Sequence, residues 1–394
     1  MRIASPVRLL SLIAVLAAGS VSAQSITQWS WPVAASPSVV GVNKAVLDSI
    51  DREIGSGQYG LIDRMLVIRH GQIAYDRSYT QDYTKAYADS VNVKGALNAS
   101  DPTGPYNYYN TWWHPYYRGG DLHSLQSVTK TITSVVIGTA VMNGEFPSID
   151  TPALKFYDAS KLANVDDRKR RMTIRHLVSM TSGIDWNESL PYTDPRNSAT
   201  GLEASPDWVK YVMDRPMSDE PGARWVYNSG ATVVLADIFH RATGKDIEQY
   251  AVQHLFAPLG ISHWYWKRTP TGLVDTEGGL YLEARDLAKI WSVFAKNGEW
   301  QGKRIVSPEW VKASLEPIKK TPNGSSYGLA WWLQPTARDT SKFYYTGSGF
   351  GGQLPAALPE QDMLVVFNAW NILPGRGGLA GRRVLERLAA AATP

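Results

Sequence analysis

The chain has 394 residues, 44% hydrophobic and 19% charged, with a net charge of +4 and no cysteine. That length and composition describe one large or two interleaved globular domains and exclude a disordered chain. The charge is small and scattered, so no nucleic-acid footprint appears, and without a thiol there is no disulfide, thiolate chemistry or lipid-anchored cysteine.

At the N-terminus, Arg2 and Arg8 flank a short polar start, Leu9 to Ala18 is apolar, and Val21-Ser22-Ala23 precedes Gln24 as a small-residue cleavage site. This predicts a secretory signal peptide over residues 1–23 and a periplasmic or secreted mature protein. The apolar run is too short to span a bilayer, and no later stretch is long and apolar enough, so no membrane span is expected after signal removal.

Residues 24–42 read as a surface loop rich in Trp, Pro and Ser. Helical spacing follows over residues 43–54, with Asn43 as cap and Gly55 as stop. Met65 to Arg77 reads as two strands joined by a His70-Gly71-Gln72 turn, which makes His70 a turn residue. Residues 78–122 lack periodicity and carry Tyr106, Tyr108, Tyr109, Trp112, Trp113, Tyr116 and Tyr117. Such a segment either walls a substrate cleft or is a surface flap stapled down by its rings. His114 and His123 lie here without a partner at metal-ligand spacing.

The apolar run Val135–Val141 predicts a buried helix headed by Ser127 and Lys130. Further helices are expected over 173–182 (ended by Gly183), 206–213, 231–243 (ended by Gly244) and 246–255 (capped by Asp246). The basic run Arg168-Lys169-Arg170-Arg171 follows Asp166-Asp167 and reads as a solvated approach to a helix. Gly278–Leu282 reads as a strand, Ala284–Lys296 as a helix, and Ser307-Pro308 as a capped helix start. Tyr327–Leu333, Phe343–Thr346, Gly352–Leu358 and Met363–Ala369 read as strands, and Leu379–Ala392 as a terminal helix. The expected fold is mixed α/β: an antiparallel sheet built from both chain ends with flanking helices, and an all-helical insert. The expected division is residues 24–129 with 265–394 for the sheet domain and 130–264 for the helical region.

Ser127 and Lys130 are three apart, which puts both side chains on one helical face. A hydroxyl is a poor nucleophile until a neighbouring base takes its proton, and an uncharged lysine can be that base. No other serine in the chain has lysine three residues later. Two stretches could complete an acyl-transfer site. In Trp225-Val226-Tyr227-Asn228-Ser229-Gly230, the Tyr227 phenol could shuttle the serine proton, and Asn228 or Ser229 could orient lysine or substrate. In Tyr344-Tyr345-Thr346-Gly347-Ser348-Gly349, small residues let a strand edge approach a ligand, and a backbone N–H there could join that of Ser127 in holding an oxyanion. Each stretch also has an ordinary reading, as a turn and as a glycine-rich hairpin. No His-Glu-x-x-His or P-loop is present and no Gly-x-Gly-x-x-Gly opens a helix after a strand, so no metal or cofactor is called for.

With these motifs in this order, the chain resembles the serine β-lactamase-like and penicillin-binding-protein-like hydrolases, close to class C β-lactamases. The family's Ser-x-x-Lys falls on Ser127–Lys130, its Tyr-x-Asn on Tyr227-Asn228-Ser229, and its Lys-Thr-Gly on Tyr345-Thr346-Gly347. Connecting phrases such as Pro221-Gly222-Ala223-Arg224-Trp225, Leu255-Phe256-Ala257-Pro258-Leu259-Gly260 and Gly351-Gly352-Gln353 also look familiar, and the likeness covers nearly all of residues 40–390. The aromatic segment before the nucleophile resembles the subgroup of 6-aminohexanoate-dimer hydrolases and related esterases. The resemblance implies a covalent acyl-enzyme on Ser127, Lys130 as base, Tyr227 as proton shuttle, an oxyanion contact near Ser348, and a small amide or ester substrate.

Two departures stand out. Tyr345 replaces the lysine that helps hold a substrate carboxylate, a contact worth about 1.5–3 kcal/mol, which argues against efficient β-lactam or D-Ala-D-Ala turnover. Ser229 replaces the usual asparagine. The competing readings are a β-lactamase or D-alanyl-D-alanine carboxypeptidase, and an inert binding protein of the same fold.

Overall fold

A computed structural model describes residues 29–95, 97–98, 101, 103–373 and 378–393; the expected signal peptide, residues 1–23, lies outside them. Strands β1 (Ile62–Arg69) and β2 (Gln72–Ser78) form the N-terminal hairpin. His70 sits in its turn at φ 51°, as the sequence suggests. Short strands β3 (His123–Ser124), β4 (Tyr265–Trp266) and β5 (Leu280–Leu282) make a small sheet of order β3-β5-β4. A two-stranded ribbon pairs β6 (Glu299–Trp300) with β7 (Lys303–Arg304). The C-terminal third supplies β8 (Lys319–Lys320), β9 (Ser326–Tyr327), β10 (Trp332–Pro335), β11 (Phe343–Thr346), β12 (Leu354–Leu358) and β13 (Met363–Ala369).

Among the described residues, eight strands join in one antiparallel sheet of order β2-β1-β13-β12-β11-β10-β9-β8. The last strand thus lies beside the first, with Leu66 opposite Val366. β1 and β13 are buried almost throughout, because both faces of the sheet are covered. That explains why Met65-Leu66-Val67-Ile68 and Leu364-Val365-Val366-Phe367 are unbroken apolar runs rather than alternating ones.

The helices are α1 (Lys44–Gly55), α2 (Tyr83–Ala86), α3 (Val128–Met142), α4 (Asp167–Arg171), α5 (Ile174–Val178), α6 (Ser198–Glu203), α7 (Trp208–Met213), α8 (Ser229–Thr243), α9 (Ile247–Ala251), α10 (Ala284–Ala295), α11 (Pro308–Ser314) and α12 (Gly381–Ala391). α1 and α12 pack on one sheet face with Met65, Val67, Val365 and Phe367. α10, α3 and α8 fill the other with Leu66, Ile68, Leu364 and Val366. α3 is buried on every side from Val128 to Ala140, as a central helix is. Its buried hydroxyls are satisfied by distant backbone: Thr131 Oγ1 donates to Ala330 O at 2.7 Å and Ser134 Oγ to Leu329 O at 2.9 Å.

Two expected elements differ from those found. The helix expected to run to Gly183 stops at Val178. There the Ser179 hydroxyl bonds back to Arg175 O at 2.8 Å, and Met180 adopts φ 59°, which no helix continues. The strand expected over 327–333 is broken between Tyr327 and Trp332. Ala330 turns at φ 62°, and a side chain on Gly328 would meet Ser314 O at 1.9 Å. The break is what points the carbonyls of Leu329 and Ala330 at α3.

The aromatic segment is irregular and does both of the jobs open to it. Tyr87 donates to Trp370 O at 2.6 Å, His114 stacks on Trp370 at 5.0 Å, and Tyr117 stacks on Tyr265 at 3.9 Å, so the rings staple it to the core. Leu97 and Tyr108, meanwhile, face the cleft beside Ser127.

Candidate active site

Ser127 occupies the N-cap position of α3, with its side chain free of any capping bond. Its hydroxyl is therefore not spent on the helix start. The residue before it, Gln126, is held at φ 49°, a conformation that costs a non-glycine residue about 1–3 kcal/mol. The buried Gln126 amide, donating to Ser124 Oγ at 2.8 Å, helps fix it there. One turn on, Lys130 is 1% exposed and its Nζ lies 2.9 Å from Ser127 Oγ. The same nitrogen is 2.5 Å from the backbone oxygen of Glu277 and 3.4 Å from its carboxylate Oε2.

Tyr227 comes from the loop before α8. Lys130 Nζ sits 5.3 Å from its ring centre. Burial, then the charges of Glu188 and Glu277, push the phenol well above its ordinary range, so it keeps its proton at neutral pH. The two residues after it turn elsewhere. Asn228 caps α8 through Ala231 N at 2.9 Å, and its buried Nδ2 has no hydrogen-bond partner among the described residues. Ser229 gives both its backbone N–H and its hydroxyl to Glu188, at 2.9 and 2.6 Å.

The third stretch meets the site through backbone. A side chain on Gly349 would lie 2.4 Å from Leu125 O, so only glycine lets this segment touch the loop that carries Ser127. Gly347 is pinned in the same way, between Trp291 and Pro355. The amides of Gly347 and Gly349 donate to Pro355 O and Gln353 O at 2.9 and 3.0 Å. Between them, Ser348 is exposed, and among the described residues neither its amide nor that of Ser127 donates to any protein acceptor. Two unspent N–H groups are what an oxyanion hole requires. Thr346 is buried, its hydroxyl 3.3 Å from Trp332 O. Tyr345 packs at the sheet–helix interface, its carbonyl accepting from Trp291 Nε1 at 3.0 Å. No hydrogen bond or ring contact among the described residues joins Tyr345 to Ser127, Lys130 or Tyr227.

The cleft above Ser127 is narrow. Leu97, Tyr108, Tyr192, Ala199 and Phe350 form its walls, with Glu203 and Glu277 at its polar end. Sequence reasoning missed Glu188, Glu203 and Glu277. The acids and glycines of Asp275-Thr276-Glu277-Gly278-Gly279, just ahead of β5, are a visible local signal for Glu277. Its separation of 147 positions from Lys130 hides the pairing.

The β-lactamase family model matches residues 63–391. The chain belongs to the beta-lactamase family. A 6-aminohexanoate-dimer hydrolase of Paenarthrobacter ureafaciens is 26% identical over 287 residues, 65% of this chain and 69% of that protein. Monacolin J acid methylbutanoyltransferase of Aspergillus terreus is 28% identical over 156 residues, 36% of this chain and 37% of that enzyme. Among solved structures, EstCE1, a hydrolase with promiscuous acyltransferase activity, matches 90% of this chain and 99% of its own, with a TM-score of 0.64 at 14% identity. That likeness speaks for the fold alone.

Proposed function

We propose that this protein is an exported serine hydrolase that cleaves a small amide or ester through a covalent acyl-enzyme on Ser127. The observation that carries the reading is the Ser127 hydroxyl held 2.9 Å from Lys130 Nζ, with the Tyr227 ring centre 5.3 Å from the same nitrogen. In this mechanism, uncharged Lys130 takes the Ser127 proton as Oγ attacks the carbonyl carbon. The carbonyl oxygen becomes an anion facing the amides of Ser127 and Ser348. Tyr227 hands a proton to the departing amine or alcohol and recovers one from Lys130. Water then attacks the acyl-enzyme, losing its proton to Lys130, which returns one to Ser127 Oγ as the acid product leaves. Relatives that hydrolyse 6-aminohexanoate dimers support an amide or ester bond as target. Tyr345, standing where the family's carboxylate-holding lysine falls, supports weak β-lactam turnover.

The test is labelling with a fluorophosphonate probe, followed by a panel of short-chain p-nitrophenyl esters, linear amide oligomers and nitrocefin. Wild type should label at one site and cleave an ester or amide, and Ser127→Ala should do neither. Labelling of Ser127→Ala at full rate would place the nucleophile elsewhere. Rapid nitrocefin turnover would favour the β-lactamase alternative, and wild type that neither labels nor turns over any substrate would favour an inert binding protein. Export is tested by the mass of the protein recovered outside the cytoplasm, which should begin at Gln24.

A further inference from the structure

No step of the proposed mechanism uses Glu188, which lies in the loop between α5 and α6, 41 positions ahead of Ser229. Four donors converge on its carboxylate. Oε1 accepts from the Ser229 hydroxyl at 2.6 Å and from the Tyr192 hydroxyl at 2.7 Å. Oε2 accepts from the Ser229 backbone N–H at 2.9 Å and from Trp186 Nε1 at 2.8 Å. A carboxylate offers about four lone-pair sites, so two donors on each oxygen saturate it. Glu188 is therefore committed to holding protein and has no capacity left for a substrate.

What it holds is the approach to Tyr227. Ser229 is the first residue of α8, and its N–H is one of the amides that a helix start leaves without an internal partner. A carboxylate at this place also faces the positive end of the helix dipole. Trp186 presses on the same turn. A side chain on Gly230 would lie 2.9 Å from Trp186 Cη2 and 2.3 Å from Val212 Cγ2, so loop and helix start are in direct contact. The main chain around Tyr227 is thus gripped on both sides. Val226 N–H donates to Met180 O at 2.9 Å, and Glu188 takes both donors of Ser229. Ser229, in place of the family's usual asparagine, spends its hydroxyl on this tie rather than on substrate. Tyr192 carries the tie into the cleft. Its ring forms one wall beside Ser127 and stands edge-on to Phe350 at 4.9 Å. One carboxylate joins that wall to the segment that delivers the phenol.

We propose that Glu188 is a positioning residue for proton donation: by holding Ser229 and Tyr192 together, it keeps the Tyr227 phenol in line with the leaving group. It acts by geometry, through hydrogen bonds. Glutamine can keep all four contacts, because its oxygen accepts from the Ser229 N–H and Trp186 while its NH2 donates to the two hydroxyls, which turn to accept. Leucine can make none of them. The inference rests on the reading of Ser127 as nucleophile and Tyr227 as acid.

The experiment measures kcat/KM of the full chain for p-nitrophenyl butyrate and for ethyl butyrate, the second followed by titration of the acid released. Both form the same acyl-enzyme, but ethoxide must be protonated as it leaves and p-nitrophenolate need not be. The ratio of the ethyl to the p-nitrophenyl value therefore reads proton donation, and damage common to both esters divides out. Tyr227→Phe should lower the ratio by about tenfold or more. Glu188→Leu should lower it by about fivefold or more, since a small misplacement of a reacting group is costly, and Glu188→Gln should restore it to within about twofold of wild type. The double variant Glu188→Leu/Tyr227→Phe should match Tyr227→Phe within about twofold, because a ring without its hydroxyl has no proton to misplace. An unmoved ratio in Glu188→Leu overturns the proposal, since a merely structural role slows both esters alike. A ratio in Glu188→Gln as low as in Glu188→Leu also overturns it, as does a double variant that multiplies the two losses. If Glu188→Leu shows no cooperative thermal melt, Ser229→Ala decides. It removes the hydroxyl contact and keeps the backbone one, so the ratio should fall by about twofold or more, and an unmoved ratio overturns the proposal. An unmoved ratio in Tyr227→Phe, or cleavage of either ester by Ser127→Ala at the wild-type rate, rejects the underlying reading instead, an outcome distinct from an unmoved ratio in Glu188→Leu alone.

Discussion

At the scale of single residues, the proposed mechanism gives proton acceptance to Lys130 and proton donation to Tyr227, and their surroundings differ accordingly. Lys130 is enclosed by oxygen atoms, while Tyr227 is enclosed by apolar atoms and anionic charge that keep its proton on. That assignment makes Tyr227→Phe informative. The ring stays, so the cleft keeps its shape, but no proton can pass to the leaving group. Turnover of a poor-leaving-group amide should fall by about 10²–10⁴-fold, the usual worth of a positioned acid, with KM changed far less. An ester with a p-nitrophenolate leaving group needs no such proton and should suffer less. Equal losses on both substrates would assign Tyr227 a structural role. The same scale shows what the sequence could and could not disclose. Ser127 and Lys130 were legible because helical periodicity alone brings residues three apart together. The roles offered to Asn228 and Ser229 were not settled by sequence, because a cap and a carboxylate some forty residues upstream compete for them. Glu188, which accepts from Ser229 as well as from Trp186 Nε1 at 2.8 Å and Tyr192 at 2.7 Å, belongs to no local pattern.

At the scale of elements, two segments must meet: the N-terminus of α3 and the end of β11. Their meeting depends on a missing side chain. Gly349→Ala would put a methyl 2.4 Å from the Leu125 carbonyl and 2.8 Å from Gln353 Cβ. The first of these is backbone and cannot rotate away, so the strand end must retreat and take the Ser348 amide with it. Overpacking of this kind costs about 1–3 kcal/mol of stability, and loss of one oxyanion donor costs about 10²–10³ in turnover. Thermal melting and labelling rate on the same sample check both. Gly55→Ala, where nothing lies within 4 Å, is the matched control and should change neither. Elements of regular pattern, such as β11 at Phe343–Thr346, were readable to the residue. The break at 328–331 was not, because its cause is the approach of Ser314 O to Gly328, a tertiary contact that no local propensity encodes.

At the scale of the whole molecule, the sheet is closed by its two ends, since β1 sits between β2 and β13. The helices nearest the termini, α1 and α12, cover the same face and are tied by one ion pair. Arg387 Nη2 and Nη1 lie 2.8 and 2.5 Å from the Glu53 carboxylate, which also accepts from Ser49 at 3.0 Å and from Tyr59. The Arg387 hydrogen bond, outweighing partial burial, lowers Glu53 to about 2 from its usual 4.5. A carboxylate depressed on folding adds stability above its unfolded value and loses it as pH falls through its folded value. The pair should therefore hold the chain ends together fully at pH 7 and progressively less from about pH 5 down to pH 2. Solvent reaches the pair, so its worth is that of a screened contact, about 1 kcal/mol or less. The check is the difference in thermal midpoint between wild type and Glu53→Gln at pH 7, 4 and 3. Wild type should be the more stable at pH 7, and the gap should narrow at each step down. A gap that is constant with pH would mean that Glu53 acts through packing alone, and that acid destabilises the molecule at some other carboxylate.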